Sequence, residues 1–295
     1  MTKQSRTLII KKLEKARGKT FVITYVTSTR QGFEVPMAMD SIRLFFNHLS
    51  RIENPKKTTI DLFIHSNGGD GTVPWRLVNL IRECCRSFNV LVPNRAFSAA
   101  TLTALGADSI LMHPMGVLGP TDPMVSNLFN PRDSESKKPL GISVEDVTAY
   151  IELLRDDVGI RHEDELVQAF NLLANKVHPL ALGNVKRSRS QSTQLASKML
   201  KLHMDPKKDA HKIEEIVERL TSKSYYHGHP INRKEALEET GLNVKTLPKD
   251  VEELMWKLYM EYEKEMLLDK PFNFIQDFVV AHPNLQPTQP PHLQL

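Results

Sequence analysis

The sequence predicts an α/β protein: a largely parallel sheet built from β-α-β units, followed by a helical C-terminal extension. Three observations lead there. Short runs rich in Val, Ile, Thr and Phe alternate with helical patterns through the first half of the 295-residue chain. Strands separated by helices favour right-handed crossovers and so parallel pairing. From about residue 143 to 268 helical patterns take over, interrupted at Pro179, Pro206, Pro230 and Pro248.

The strand-like runs fall at residues 20–27, 59–66, 89–92 and 109–112. Between the first two, Ile42, Phe45, Phe46 and Leu49 recur at i, i+3, i+4 and i+7, one apolar helical stripe. A second helix is expected over about 73–85, with Pro74 tolerated in its first turn. A third begins near Phe97 and is rich in small residues (Ala99, Ala100, Ala104, Gly106, Ala107), as a buried helix pressed onto a sheet requires. Residues 131–140 read as a surface loop. No linker separates two domains: residues 1–268 form one domain with its helical extension, and 269–295 an arm or tail with no core-forming pattern.

Composition narrows the function. Net charge is +4, from 39 Lys plus Arg against 35 Asp plus Glu, too little to name a polyanionic partner. Basic residues gather between Lys186 and Lys212, but no aromatic side chain interleaves them, so a solvated helix face is expected and nucleic acid is not. No apolar stretch reaches the roughly 18–20 residues of a membrane span, and the basic N-terminus lacks the core of a signal peptide. Cys84 and Cys85 are adjacent, poor geometry for a structural disulfide, which fits a reducing, cytoplasmic location. The histidines lack metal-ligand spacing and no GxGxxG loop is present, so no cofactor is expected.

Sites in parallel sheets form beyond the carboxyl ends of the strands, and three segments follow strands here. In His65-Ser66-Asn67-Gly68-Gly69-Asp70-Gly71 the glycines either make a tight turn or present N–H groups to an oxyanion. In Pro93-Asn94-Arg95-Ala96-Phe97-Ser98-Ala99, Ser98 falls at a helix start, where a serine is either an N-cap or a nucleophile beside free N–H groups. In Gly119-Pro120-Thr121-Asp122-Pro123, Asp122 is either an Asx-turn acid or the carboxylate that orients a histidine.

In this order and at these separations, IDLFIHSNGG and FNVLVPNRAFSAATLTALGADSILMHPMGVLGPTDP resemble the Clp-protease-like superfamily, which includes Clp proteolytic subunits, signal peptide peptidase A and crotonases. More narrowly the chain resembles the serine dehydrogenase proteinase family, with further matches in HPLALGNVKRS from His178 and YYHGHPINRKEALEETGLNVK from Tyr225. The resemblance covers roughly residues 8–260. It implies a Clp/crotonase-like spiral of β-α-β units and a homo-oligomeric serine peptidase acting on peptide or protein. Carried over, Ser98 matches the nucleophile, and Gly68, Gly69 and the Ala99 N–H match the oxyanion hole. Asp122 matches the acid and His227 the base, with His229 and His178 as alternative bases. Asn67 stands where the family usually has proline, and Ala100 where it usually has glycine. Other readings remain open. Lys176 or Lys186 could form a Ser–Lys dyad, a crotonase-like enzyme would act on acyl-CoA without the serine, and a scaffold would keep only the fold.

Overall fold

The structure is a computed structural model and describes residues 3–121, 124–125, 128–135, 137, 139–221, 228–274 and 277. Its axis is a strand buried on both faces, Thr59–His65. Ile60, Leu62 and Ile64 point to one side, and Asp61, Phe63 and His65 to the other. A continuous apolar run of this kind is what a central parallel strand demands.

In chain order, α1 (Lys3–Ala16) leads into β1 (Phe21–Val26), the antiparallel pair β2 (Thr29–Arg30) and β3 (Phe33–Glu34), and α2 (Ser41–Leu49). The axial strand is β4, followed by α3 (Val73–Glu83), β5 (Ser87–Val92), β6 (Arg95–Ala96) and α4 (Ala99–Leu105). Then come β7 (Ser109–Met112), β8 (Val117–Leu118), β9 (Met124–Val125) and β10 (Ile142–Ser143). The helical part contains α5 (Val144–Glu152), α6 (Glu163–Lys176), α7 (Pro179–Leu200) and α8 (Ala210–Thr221). It closes with β11 (Ile231–Asn232), α9 (Arg233–Glu238), β12 (Val244–Lys245) and α10 (Lys249–Met266).

Five strands, β1-β4-β5-β7-β12, form one sheet that is parallel throughout. The four strands expected from the sequence are all in it, with ends shifted by up to two residues. The fifth, β12, has two residues and offers no alternation to read. Helices cover both faces. Side chains of α2, α3, α4, α7 and α8 pack on one. Leu13 of α1 and Val251, Met255 and Leu258 of α10 pack on the other, so this α10 stripe is core. In α2 the buried residues are Ile42, Phe45 and Leu49, whereas Phe46 is 56% exposed. The expected stripe was wider than the contact face, and its i+4 member lies off the edge.

Pro179 opens α7 and Pro248 caps α10, so two of the predicted breaks coincide with helix starts. The chain just after α10 packs back on the fold: Arg30 donates to the carbonyls of Lys270 (2.9 Å) and Pro271 (3.2 Å), and Phe272 stacks on Phe33. Cys84 and Cys85 are both free, and burial raises the Cys85 thiol to about 11. No helix among the described residues is long and apolar enough to cross a membrane.

One charge is set into the sheet. Asp61 is fully buried and accepts from Arg17 Nε (2.9 Å), Thr20 Oγ1 (3.0 Å) and Asn89 Nδ2 (2.8 Å). These bonds tie the end of α1 and the start of β1 to β4 and β5. A buried carboxylate is tolerable only while its partners remain. Arg17→Ala is therefore expected to cost about 3 kcal/mol or more, and Asp61→Asn less, because the Arg17 it leaves behind is partly solvated. Urea denaturation checks this, and a loss below about 1 kcal/mol for Arg17→Ala would mean the charge is compensated elsewhere.

Candidate active site

Ser98 occupies the N-cap position of α4, but its side chain makes no capping hydrogen bond. Its backbone sits at φ 51° and ψ −114°, a conformation that L residues rarely adopt. Holding it costs about 1–3 kcal/mol, so the surroundings must over-determine the turn. They do. Ala100 N–H donates to Phe97 O (2.9 Å) and Leu102 N–H to Ser98 O (3.0 Å), and α4 is buried along its whole length. Thr101 Oγ1 donates to the carbonyls of Ala96 (2.7 Å) and Gly119 (2.8 Å), tying the turn to the loop after β8. Ser98 is only half-buried and faces a cleft. Of the two sequence readings, the capping one lacks its bond.

The glycine loop after β4 is joined directly to this turn. Ser66 N–H donates to Arg95 O and Phe97 N–H to Ser66 O, both at 3.0 Å. Gly68, at φ 94°, lies so close that an added Cβ would stand 2.6 Å from Phe97 O and 2.9 Å from Ser98 Cβ. Gly69, at φ 154°, is equally confined, its Cβ position being 2.4 Å from Met37 N and O. Met37 holds the outer side of the loop by donating to Gly68 O (2.7 Å) and accepting from Asp70 N–H (2.9 Å).

This arrangement revises one expected donor. Gly68 N–H is turned inward and donates to Ser66 Oγ (3.0 Å), which also accepts from Thr27 Oγ1 (2.8 Å). Among the described residues, Gly69 N–H and Ala99 N–H have no partner, and both residues line the cleft. Gly68 contributes by its missing side chain and Gly69 by its free donor.

The cleft has a volume of about 640 Å³. Asn67, Gly69, Ser98 and Ala99 form one wall. Ser188, Gln191, Leu195 and Lys198, successive turns on one face of α7, also line it. Thr121 stands at one end, anchored by its N–H to Leu220 O (2.8 Å) and by Ser192 Oγ donating to its carbonyl (2.5 Å). A small sheet, β11-β8-β6, directs three chain segments to the same edge. β6 and β8 run parallel, with Ala96 beside Leu118, and β11 runs antiparallel, with Ile231 beside Leu118. The chain therefore leaves β6 toward Ser98, leaves β8 toward Thr121, and enters β11 from His229 and Pro230.

Asp122 and His227 lie outside the described residues. His229 pairs its Nε2 with Glu235 Oε1 (2.8 Å) and does not line the cleft. His178 Nδ1 accepts from Leu180 N–H (3.1 Å), and the ring stacks on Phe129. It therefore caps the start of α7. Lys176 and Lys186 are exposed and away from the cleft, whereas Lys198 lines it, with Nζ 5.6 Å from the Trp75 ring centroid. Lys198 was missed because a lysine partner has no sequence signal of its own. The trace it left was the helical spacing of Ser188, Gln191 and Lys198, with Leu195 among them, along α7. His65 lies behind the loop, with Nε2 3.0 Å from Thr29 Oγ1. Burial, and then the nearby Arg95 charge, lower its pKa to about 4, so it is neutral near pH 7.

A parallel α/β sheet thus carries a serine on a strained turn, with a glycine loop against it. The chain belongs to the ClpP-like SDH-type serine proteinases, whose family profile matches residues 1–178. It is 28% identical over 208 residues to MJ0137 and 27% identical over 202 residues to MJ1495, both uncharacterized proteins of Methanocaldococcus jannaschii. These matches take in 70% and 68% of this chain but only 60% and 57% of the two relatives. Among solved structures it is similar to 1510-N, a membrane-bound stomatin-specific protease. A lysine-to-alanine mutant of that protease with a substrate peptide aligns with TM-score 0.46 and 12% identity, over 77% of this chain and 74% of that one. A serine-to-alanine mutant aligns with TM-score 0.42 and 15% identity, over 77% and 81%.

Gly68→Ala puts a methyl group into the Ser98 turn at a φ that penalises it. The variant is expected to remain folded by circular dichroism and to react with a fluorophosphonate about a hundredfold more slowly. Gly71→Ala, with nothing within 4 Å of its Cβ position, is the silent control. Equal rates in both variants would separate the glycine loop from serine reactivity.

Proposed function

We propose that this chain is a serine-type peptidase in which Ser98 Oγ attacks the substrate carbonyl and the Gly69 and Ala99 N–H groups hold the resulting oxyanion. His227 takes the serine proton and returns it to the leaving amine, while Asp122 fixes the imidazole. Water, activated by the same histidine, then releases the acyl group. The observation that carries the reading is the Ser98 turn itself: a strained, uncapped serine at the start of a buried helix, sharing a cleft with Gly69 and Ala99, whose N–H groups have no partner among the described residues. The base assignment is supported by the small sheet, since the described ends nearest Asp122 and His227 are Thr121 and Gly228 and both strands bordering them point to the Ser98 edge.

A peptide or protein substrate fits a cleft walled by polar positions of α7. Assembly of several copies belongs to the same reading, supported by Val167, Phe170 and Leu172 left exposed on α6. A second reading keeps Ser98 and gives the base to Lys198, because that lysine shares the cleft.

A fluorophosphonate is expected to modify Ser98, with Ser98→Ala unlabelled. His227→Ala is expected to slow labelling by about a thousandfold or more, with His229→Ala and His178→Ala within several-fold of wild type. A collapse in Lys198→Met beside normal His227→Ala would transfer the base to Lys198. Undiminished labelling of Ser98→Ala would remove the nucleophile and the reading with it.

A further inference from the structure

Arg95 lies three residues before Ser98, and its surroundings are unusual for an arginine. Its Nε is buried with no partner. Among the described residues its one side-chain hydrogen bond runs from Nη1 to Asn67 Oδ1, at 3.1 Å, and it forms no ion pair. The guanidinium lies 5.1 Å from the ring centroid of Phe97, the residue whose carbonyl touches Gly68. Arg95 is half-buried, and leaving its Nε buried without an acceptor is a cost that the one neutral hydrogen bond on Nη1 does not offset. As a stability device the contact is a poor one.

The acceptor indicates another role. Asn67 lines the cleft and immediately precedes Gly68-Gly69, the most freely rotating dipeptide the chain could place there. The far side of that dipeptide is held by Met37, and Gly68 N–H by Ser66 Oγ. On the near side the Asn67 side chain is the attachment, and it is attached to Arg95. The backbone of Arg95 completes the link, since its carbonyl accepts from Ser66 N–H. One residue thus holds the loop carrying Gly69 and belongs to the strand that leads to Ser98.

We propose that Arg95 is a positioning residue for the oxyanion loop, acting through Asn67 to keep Gly69 N–H in register with Ala99 N–H beside Ser98. The proposal rests on the serine-peptidase reading above. The Gly69 N–H that this link aims gains its full hydrogen bond only as charge develops on the substrate oxygen. Loss of Arg95 therefore affects the rate of attack rather than the binding of the reagent.

The test is a double-variant cycle, read by fluorophosphonate labelling of the full chain with kinact and KI resolved. Arg95→Met and Asn67→Ala are each expected to lower kinact about tenfold while leaving KI within twofold. The double variant is expected to be no slower than either single one, because both break one link. Arg95→Lys, whose ammonium can reach the same amide oxygen, is expected to recover most of the rate. Asn67→Ala alters a half-buried loop residue, so it keeps the test decisive if Arg95→Met does not fold. Wild-type kinact in folded Arg95→Met or Asn67→Ala, with label mapped to Ser98, overturns the proposal alone. So do single effects that multiply in the double variant. Absence of label from Ser98 in the wild-type protein overturns the underlying reading and the proposal with it.

Discussion

The site depends on the contact between two loops that follow parallel strands, where Gly68 lies against the backbone of Phe97 and Ser98. With no Cβ at residue 68, the backbones approach to a distance that any side chain would forbid, and two inter-loop hydrogen bonds through Ser66 fix the approach. That closeness keeps the strained Ser98 conformation in place and brings Gly69, Ser98 and Ala99 into the lining of one cleft. The parallel sheet presents both loops at its carboxyl edge, where α3 and α4 begin.

The rest of the fold makes that edge rigid. α4 contributes small residues and is buried throughout, so the turn before it cannot relax by moving the helix. On the opposite face, α1 and α10 close over β4, and Asp61 stitches α1 to the sheet through Arg17. The cleft, by contrast, is bounded by α7, whose polar face toward Ser98 leaves room for a chain to lie between helix and loop.

The central strands could be read from the sequence because burial on both faces forces continuous apolar runs, as in residues 59–65, and because glycine-rich turns follow them. Ser98 and the glycine loop could be located for the same reason. What the loop does was only partly legible: that Gly68 N–H turns inward to Ser66 Oγ depends on a hydroxyl two residues back and on Thr27 from another strand. Short elements were not legible. β11 and β12 have two residues each and exist only through pairing with β8 and β7. Lys198 and Arg95 were invisible for a related reason. A long cationic side chain gains a role from what it faces, and α7 faces the cleft only once the whole chain has folded.

The most direct test is a crystal structure of the protein phosphonylated at Ser98. The account requires the phosphonyl oxygen to lie about 2.7–3.1 Å from both Gly69 N and Ala99 N, with Gly68 N–H still donating to Ser66 Oγ. An oxygen directed to solvent, or held by other donors, would contradict it.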